Sequence, residues 1–477
     1  MNKQPNLTEN FFKLLIPATE LNLSDTKIIE LCGRPWILVD FERLADAPPY
    51  TCISYSWGEG RTINPLGSDQ KISDRTIPVI ETVINAFQST ECQNAALGSL
   101  FSNEIKFAEK LALVRNASGA IWIDSLCRPQ QQLAADICIQ NMGDIYREAA
   151  QVFVVLKNTC LNTVYKTYNK ESLNLDDYLA VASDDWVDRA WTYQEFINSK
   201  MMFIIAEGKG DTFISELDFL EALMSDAAAY ADIQDIDLSQ KLERIQLLVA
   251  EQQNEVRSVF QTMQAVNRRV ATLSEDRINA MISVVADRST AIPNRGSMTP
   301  AEYFMRVCEE SDDYSFIFST NLRSEVSGRR WRPIDDQITP VISDVAAVGS
   351  GLSGCLKDTH LQMNNMCRMV TRKSNLVIYA VENLLKADFP KELLKRLIER
   401  GFTGCGECIK LEHGYFFPQS PHKRSKDLFV AVSHDVKFHQ GAPGLLLRSN
   451  DTDINQFCDT GVFIGKPPAT SETINVS

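Results

Sequence analysis

No histidine precedes His360 in this 477-residue chain; His413, His422, His434 and His439 follow it. Chemistry in the long stretch before His360 therefore runs without imidazole, which removes Ser-His-Asp, Cys-His and His-ligated metal mechanisms from it. Positive charge is also short: 48 Lys and Arg stand against 62 Asp and Glu, a net charge of -14. Such a surface repels phosphate backbones, so no nucleic-acid partner is expected, and only a local basic pocket remains open. Apolar runs such as MMFIIA and VFVVL are far too short to cross a bilayer, and MNKQPNLTENFF has no signal-peptide core. The expectation is a soluble, cytoplasmic protein without a membrane span. The 12 cysteines are scattered singly apart from Cys405 and Cys408, and are expected as reduced, largely buried thiols. CGEC with His413 or His422 downstream suggests zinc, but a second ligand pair at recognisable spacing is missing, so no metal is expected.

The apolar share, 44%, and the charged share, 23%, are those of a globular protein, and the length implies two or three domains. Before residue 210, apolar strand patterns alternate with helical ones. TCISYSW (51–57), AIWID (120–124), AQVFVVL (150–156) and KMMFIIAEG (200–208) read as strands, and RTINPLGSDQKIS as a small hairpin or loop insertion. QQLAADICIQNMGDIYREA and DDWVDRAWTYQEFINS read as helices, the second capped by Ser183 or Asp184. Alternation with wholly apolar strands predicts an α/β fold, a parallel sheet with helices on both faces. Ligands of such sheets bind beyond the carboxyl ends of the strands, where Trp57, Gly58, Asp124 and Ser125 fall. The expected organisation is an N-terminal extension (1–44), this α/β domain (45–214), a helical region (215–299), a smaller α+β regulatory or sensor domain (300–465) and a disordered tail (466–477).

Three segments in order, YTCISYSWG (50–58), IWIDSLCRPQ (121–130) and WVDRAWTYQE (186–195), resemble the motifs of the heterokaryon incompatibility (HET) domain. That pattern is similar to Y-x-A-L-S-Y-x-W-G, W-I-D-x-L-C-I-x-Q and R-x-W-T-x-Q-E. Cys52 and Ile53 stand where Ala and Leu are usual, and Arg128 replaces an isoleucine. SEDRINAMISVV (274–285) resembles a segment often found downstream of HET domains. The resemblance implies self/non-self recognition and programmed cell death, a role in innate immunity.

HET domains are in turn similar to TIR domains, with a flavodoxin-like parallel sheet. Enzymatic TIR domains carry W-x-x-x-E on the helix after the third strand, and its glutamate is needed to cleave NAD. Trp191 and Glu195 have that spacing, so the resemblance implies an NAD glycohydrolase, a hydrolase using NAD as substrate and no other cofactor, with Glu195 catalytic. The chemistry is compatible. Breaking the nicotinamide–ribose bond expels a neutral leaving group, and one placed carboxylate can stabilise the oxocarbenium-like ribosyl cation. Residues four apart share a helix face, so Trp191 would stack on a ring beside Glu195. Ser54, Tyr55, Trp57, Gly58, Arg61, Asp124 and Ser125 complete the expected substrate site, with Gly58 and Arg61 nearest the phosphates. Arg189, Cys127 and Gln130 are expected as structural support.

Each residue also has a plainer reading. Glu195 can pair with Arg189 or cap a neighbouring element, and Trp57, Trp122 and Trp191 can be core aromatics. Ser54 and Tyr55 alternate across the sheet, so one side receives at most one of them. The rival function is a non-enzymatic module for homotypic assembly and signalling. The expected partners are NAD or a related nucleotide, and a sensor partner or further copies of the chain in a homo-oligomer.

Overall fold

The computed structural model describes residues 12–18, 27–67, 71–88, 119–208, 212–227, 257–285, 296–334, 337–370, 377–380, 390–422, 427–450 and 453–477. Residues 92–118 of the expected α/β domain and the stretch LSQKLERIQLLVAEQQ of the expected helical region lie outside the described residues. The chain divides into two compact units, Met1–Gln253 and Asn254–Ser477. The dividing line runs through the expected helical region.

The first unit is built on an eight-stranded sheet. Its strands are β1 (Phe12–Pro17), β2 (Ile28–Leu31), β3 (Arg34–Phe41), β4 (Thr51–Tyr55), β7 (Ile121–Trp122), β8 (Gln151–Leu156), β9 (Met202–Ala206) and β10 (Phe213–Ser215); β5 (Arg61–Ile63) and β6 (Lys71–Ser73) form the expected separate hairpin. The order is β10-β9-β8-β4-β7-β1-β3-β2. β7, β4, β8 and β9 run parallel, as their unbroken apolar sequences require, and every residue of β4, β8 and β9 is buried. Numbered among themselves, these four strands have the order 2-1-3-4, and the direction of winding reverses between β4 and β8.

The sheet is mixed, however, because antiparallel strands flank the parallel core on both sides. The expected N-terminal extension supplies three of them. β2 and β3 are joined by Cys32 and Gly33, both at positive φ (49° and 70°), the two-residue turn that suits a twisted hairpin. The helical stretch after residue 183 is also broken. Arg189 is extended (φ -80°, ψ 139°) and separates the helices Asp185–Asp188 and Ala190–Asn198.

The second unit carries a nine-stranded sheet. Its strands are β11 (Gly354–Leu356), β12 (Leu361–Val370), β13 (Val377–Ala380), β14 (Glu407–Leu411), β15 (Gly414–Pro418), β16 (Leu428–Ser433), β17 (Gly441–Arg448), β18 (Ile454–Gly465) and β19 (Glu472–Val476). All pairings are antiparallel except that of β18 with β19. Two expectations are corrected. YSFIFST, whose aromatic and β-prone residues read as a short strand, is a 3-10 turn, Ser315–Phe318, from which its aromatics enter the core. The expected disordered tail contains β19, whose alternating Ile474 and Val476 are buried between β12 and β18.

Asp313 is the hub of this unit. It accepts hydrogen bonds from the backbone N–H groups of Val259 (2.7 Å), Ser315 (2.9 Å) and Leu352 (3.1 Å), and from the Ser315 hydroxyl (2.5 Å). Gly351 sits against it at φ +97°, where a Cβ would lie 2.1 Å from Asp313 Oδ2.

Candidate functional site

The carboxyl end of β4 carries the site. Ser54 and Tyr55 are both buried and point to opposite sides. The Ser54 hydroxyl donates to Glu195 Oε2 at 2.5 Å and accepts from the Trp186 indole N–H at 2.7 Å. The Tyr55 hydroxyl instead meets Thr76 Oγ1 (2.8 Å) and Ser125 Oγ (3.1 Å).

Glu195 is 6% exposed. Burial pushes its carboxyl up to about 7; the Ser54 hydrogen bond pulls it down, the charge of Asp124 pushes it up, and Arg189 and the Tyr146 hydroxyl lower it. The acid is thus poised near neutrality by a dry environment that three polar neighbours only partly offset. Tyr146 is fully buried, and its hydroxyl also reaches Ile53 O at 3.4 Å.

Trp186 owes its place to Asp184. That buried carboxylate accepts from the backbone N–H of Lys157, just past β8, at 2.6 Å and caps the helix Asp185–Asp188 through Trp186 N at 2.9 Å. It fixes the helix start to the sheet end and so sets the indole on Ser54.

Asp124 begins a short helix beyond β7. Its carboxylate accepts from the Trp57 indole (2.9 Å) and from Ser125 N (2.6 Å), and burial raises its pKa against the opposing charge of Arg189. Arg61 is exposed; its guanidinium lies 5.5 Å from the Trp57 ring centroid and is tied to Gly58 O (3.0 Å) and Gly60 O (2.8 Å). Gly58, at φ +64°, makes the turn that allows this. Behind the loop, Arg75 donates to Glu207 (2.7 Å) and to Ser56 Oγ (2.6 Å), closing the edge between β4 and β9.

The expected site residues therefore fall into two neighbouring groups. Ser54 and Glu195 form one; Tyr55, Trp57, Gly58, Arg61, Asp124 and Ser125 form the other. Asp124 and Arg189 act electrostatically on Glu195 and on Tyr55, and so bridge the two groups. Trp191 lies apart: half-buried, it packs on the core, and the aromatic coupled to Glu195 is Trp186. Arg189, expected in a buried ion pair, forms none among the described residues and touches its neighbours only through longer-range charge. Gln130 is exposed and lies outside both groups. Cys127 is buried, with its thiol pushed up to about 12 by burial, a structural and unreactive group. Sequence reasoning overlooked Trp186, Tyr146, Thr76 and Asp184 as site residues. Trp186 lies inside a quoted motif, but only the break at Arg189 turns it toward Ser54.

Among the described residues, no group of three or more His, Cys, Asp or Glu suits a metal ion, and no helix is long and apolar enough to cross a membrane. No curated protein and no solved structure matches the chain. Residues 50–195 match the family model of the heterokaryon incompatibility protein (HET). The match opens on Tyr50, whose hydroxyl anchors Ile145 O at 2.6 Å, and closes on Glu195 itself. Residues 50–195 thus form a HET domain, which supports a function related to heterokaryon incompatibility and cell death.

Proposed function

We propose that the HET domain is an NAD glycohydrolase, a cell-death effector in which Glu195 stabilises the ribosyl cation. The observation that carries this reading is one buried carboxyl, raised to about 7, at the carboxyl end of the parallel strands in a mixed sheet, where the winding reverses. The 2-1-3-4 order of the parallel strands supports a flavodoxin- or TIR-like core. In the reaction the C1′–N bond breaks with its electron pair leaving on neutral nicotinamide. Water then adds to C1′ and releases a proton, giving ADP-ribose. No group has to protonate the leaving group, which suits a site without imidazole. Ionised Glu195 would face the developing charge, with Ser54 fixing one oxygen and Trp186 fixing Ser54. Arg189, lacking an ion pair among the described residues, and the Trp57–Arg61 loop would receive the pyrophosphate. Association between copies would complete or switch on the site.

The rival reading is a non-enzymatic assembly module, and the near-complete burial of Glu195 favours it. Its test is NAD loss and product identity with concentrated protein, wild type against Glu195→Gln. Turnover that survives the substitution removes Glu195 from the mechanism. No turnover in either protein, with assembly unaffected by Glu195→Gln, favours the rival.

The pH profile supplies a second check. Since the reactive form is the carboxylate, kcat/KM is expected to rise with pH through about 7 and level off above it. The Ser54 hydroxyl lowers the Glu195 pKa, so Ser54→Ala is expected to move that acidic limb to higher pH as well as slow the reaction. An unmoved limb would assign it to another group.

A further inference from the structure

Arg277, on the helix Ser274–Val285 of the C-terminal unit, has no partner among the described residues that accounts for it. Its Nε is buried without a hydrogen bond, and it pairs with no described carboxylate, Glu275 and Asp276 beside it in the chain included. A dry, unpaired guanidinium N–H is unfavourable unless something else supplies an acceptor. Arg277 lines a crevice whose floor includes Met263, Met281 and Ile338, each at most 5% exposed, and whose rim includes Ser274 and Gln337. The side chains of Ser274 and Gln337 form no hydrogen bond to another described residue.

We propose that this crevice binds a small organic carboxylate. The carboxylate would accept from the Arg277 fork and from Ser274 or Gln337, while a short apolar portion lies on the two methionines. Arginine's planar donors match a carboxylate, and flexible methionine side chains let a narrow floor adapt to a guest. A phosphate dianion fits less well. Among the described residues Arg277 is the one cation lining the crevice, its floor is apolar, and two acidic residues adjoin Arg277 in the chain. The C-terminal unit would thus sense a metabolite of its own, independently of the chemistry at Glu195.

The test is calorimetric titration of the full chain with benzoate and butyrate, with benzyl alcohol and inorganic phosphate as controls. Saturable binding of at least one acid is expected, with benzyl alcohol and phosphate each at least roughly tenfold weaker. Arg277→Gln should weaken the acid by a similar factor. Ser274→Tyr, which narrows the rim and leaves the arginine in place, should also weaken it. Thermal unfolding of each variant confirms that the unit is intact. Absence of saturable binding by both acids, equal affinity for phosphate, or an affinity unchanged in both variants would overturn the proposal.

Discussion

Glu195→Gln is expected to abolish NAD loss and, above neutral pH, to raise the melting temperature of the N-terminal unit. Both effects have one cause. In the unfolded chain a glutamate titrates near its ordinary value of 4.5, whereas in the folded protein burial holds Glu195 at about 7. Below pH 4.5 the acid is protonated in both states and costs nothing. Between 4.5 and 7 the unfolded state ionises first, so stability falls as pH rises, and above 7 the cost is complete. Moving the acid from 4.5 to about 7 amounts to about 3 kcal/mol as an upper bound. Glutamine keeps the shape and an acceptor for Ser54 without the charge, so it removes that cost. At roughly 2–4 °C per kcal/mol for a unit of this size, the gain is several degrees at pH 8 and vanishes near pH 4. Melting curves of the two proteins across this range check the claim. A gain independent of pH would show that packing, not charge, is responsible. Function and stability therefore oppose each other at one residue, a common property of active sites.

Asp313→Ala is expected to unfold or severely destabilise the C-terminal unit. The aspartate collects three backbone N–H groups from separate parts of the chain, at Val259, Ser315 and Leu352. Alanine strands all of them in a buried setting, at about 1–3 kcal/mol for each unsatisfied group, so a loss of several kcal/mol follows. Asp313→Asn tests the explanation. It preserves the volume but turns one acceptor into a donor facing an N–H, and should recover only part of the loss. Gly351→Ala should resemble it, since the new Cβ both strains a left-handed backbone and collides with the same carboxylate. Denaturant unfolding of the full chain reads all three. Wild-type stability in Asp313→Ala would mean that water replaces the carboxylate.

What the sequence revealed and what it hid follow from how local each signal is. β4, β8 and β9 are legible because strands buried on both faces must be apolar at every position, and such runs stand out in one dimension. Ser54, Asp124 and Glu195 could be named from motif and strand end alone. β1, β2 and β3 were missed because they are only partly buried, and an alternating pattern beside Pro17 and Pro35 looks like a loop. The Cys32–Gly33 turn was the one available clue. Trp191 drew attention through its four-residue spacing to Glu195. That spacing is real, but a shared helix face need not be the face that meets Ser54. Trp186 reaches Ser54 through a chain reversal at Arg189, and Tyr146 arrives from a different helix. Neither placement has a local signature. The strand expected at YSFIFST failed for a related reason: aromatic, β-prone residues also fill a core from a 3-10 turn.

The lack of histidine before His360 makes the N-terminal unit unusually quiet in another respect. Most proteins buffer near neutrality through imidazoles, which bury the signal of any single carboxyl beneath them. Here proton uptake by side chains of this unit between about pH 6 and 8 has no such background, and the acid held by Ser54 and Tyr146 contributes to it. Binding of a ligand beside Glu195 would then register directly as protons released or absorbed, so the unit reports the occupancy of its own site through its buffering.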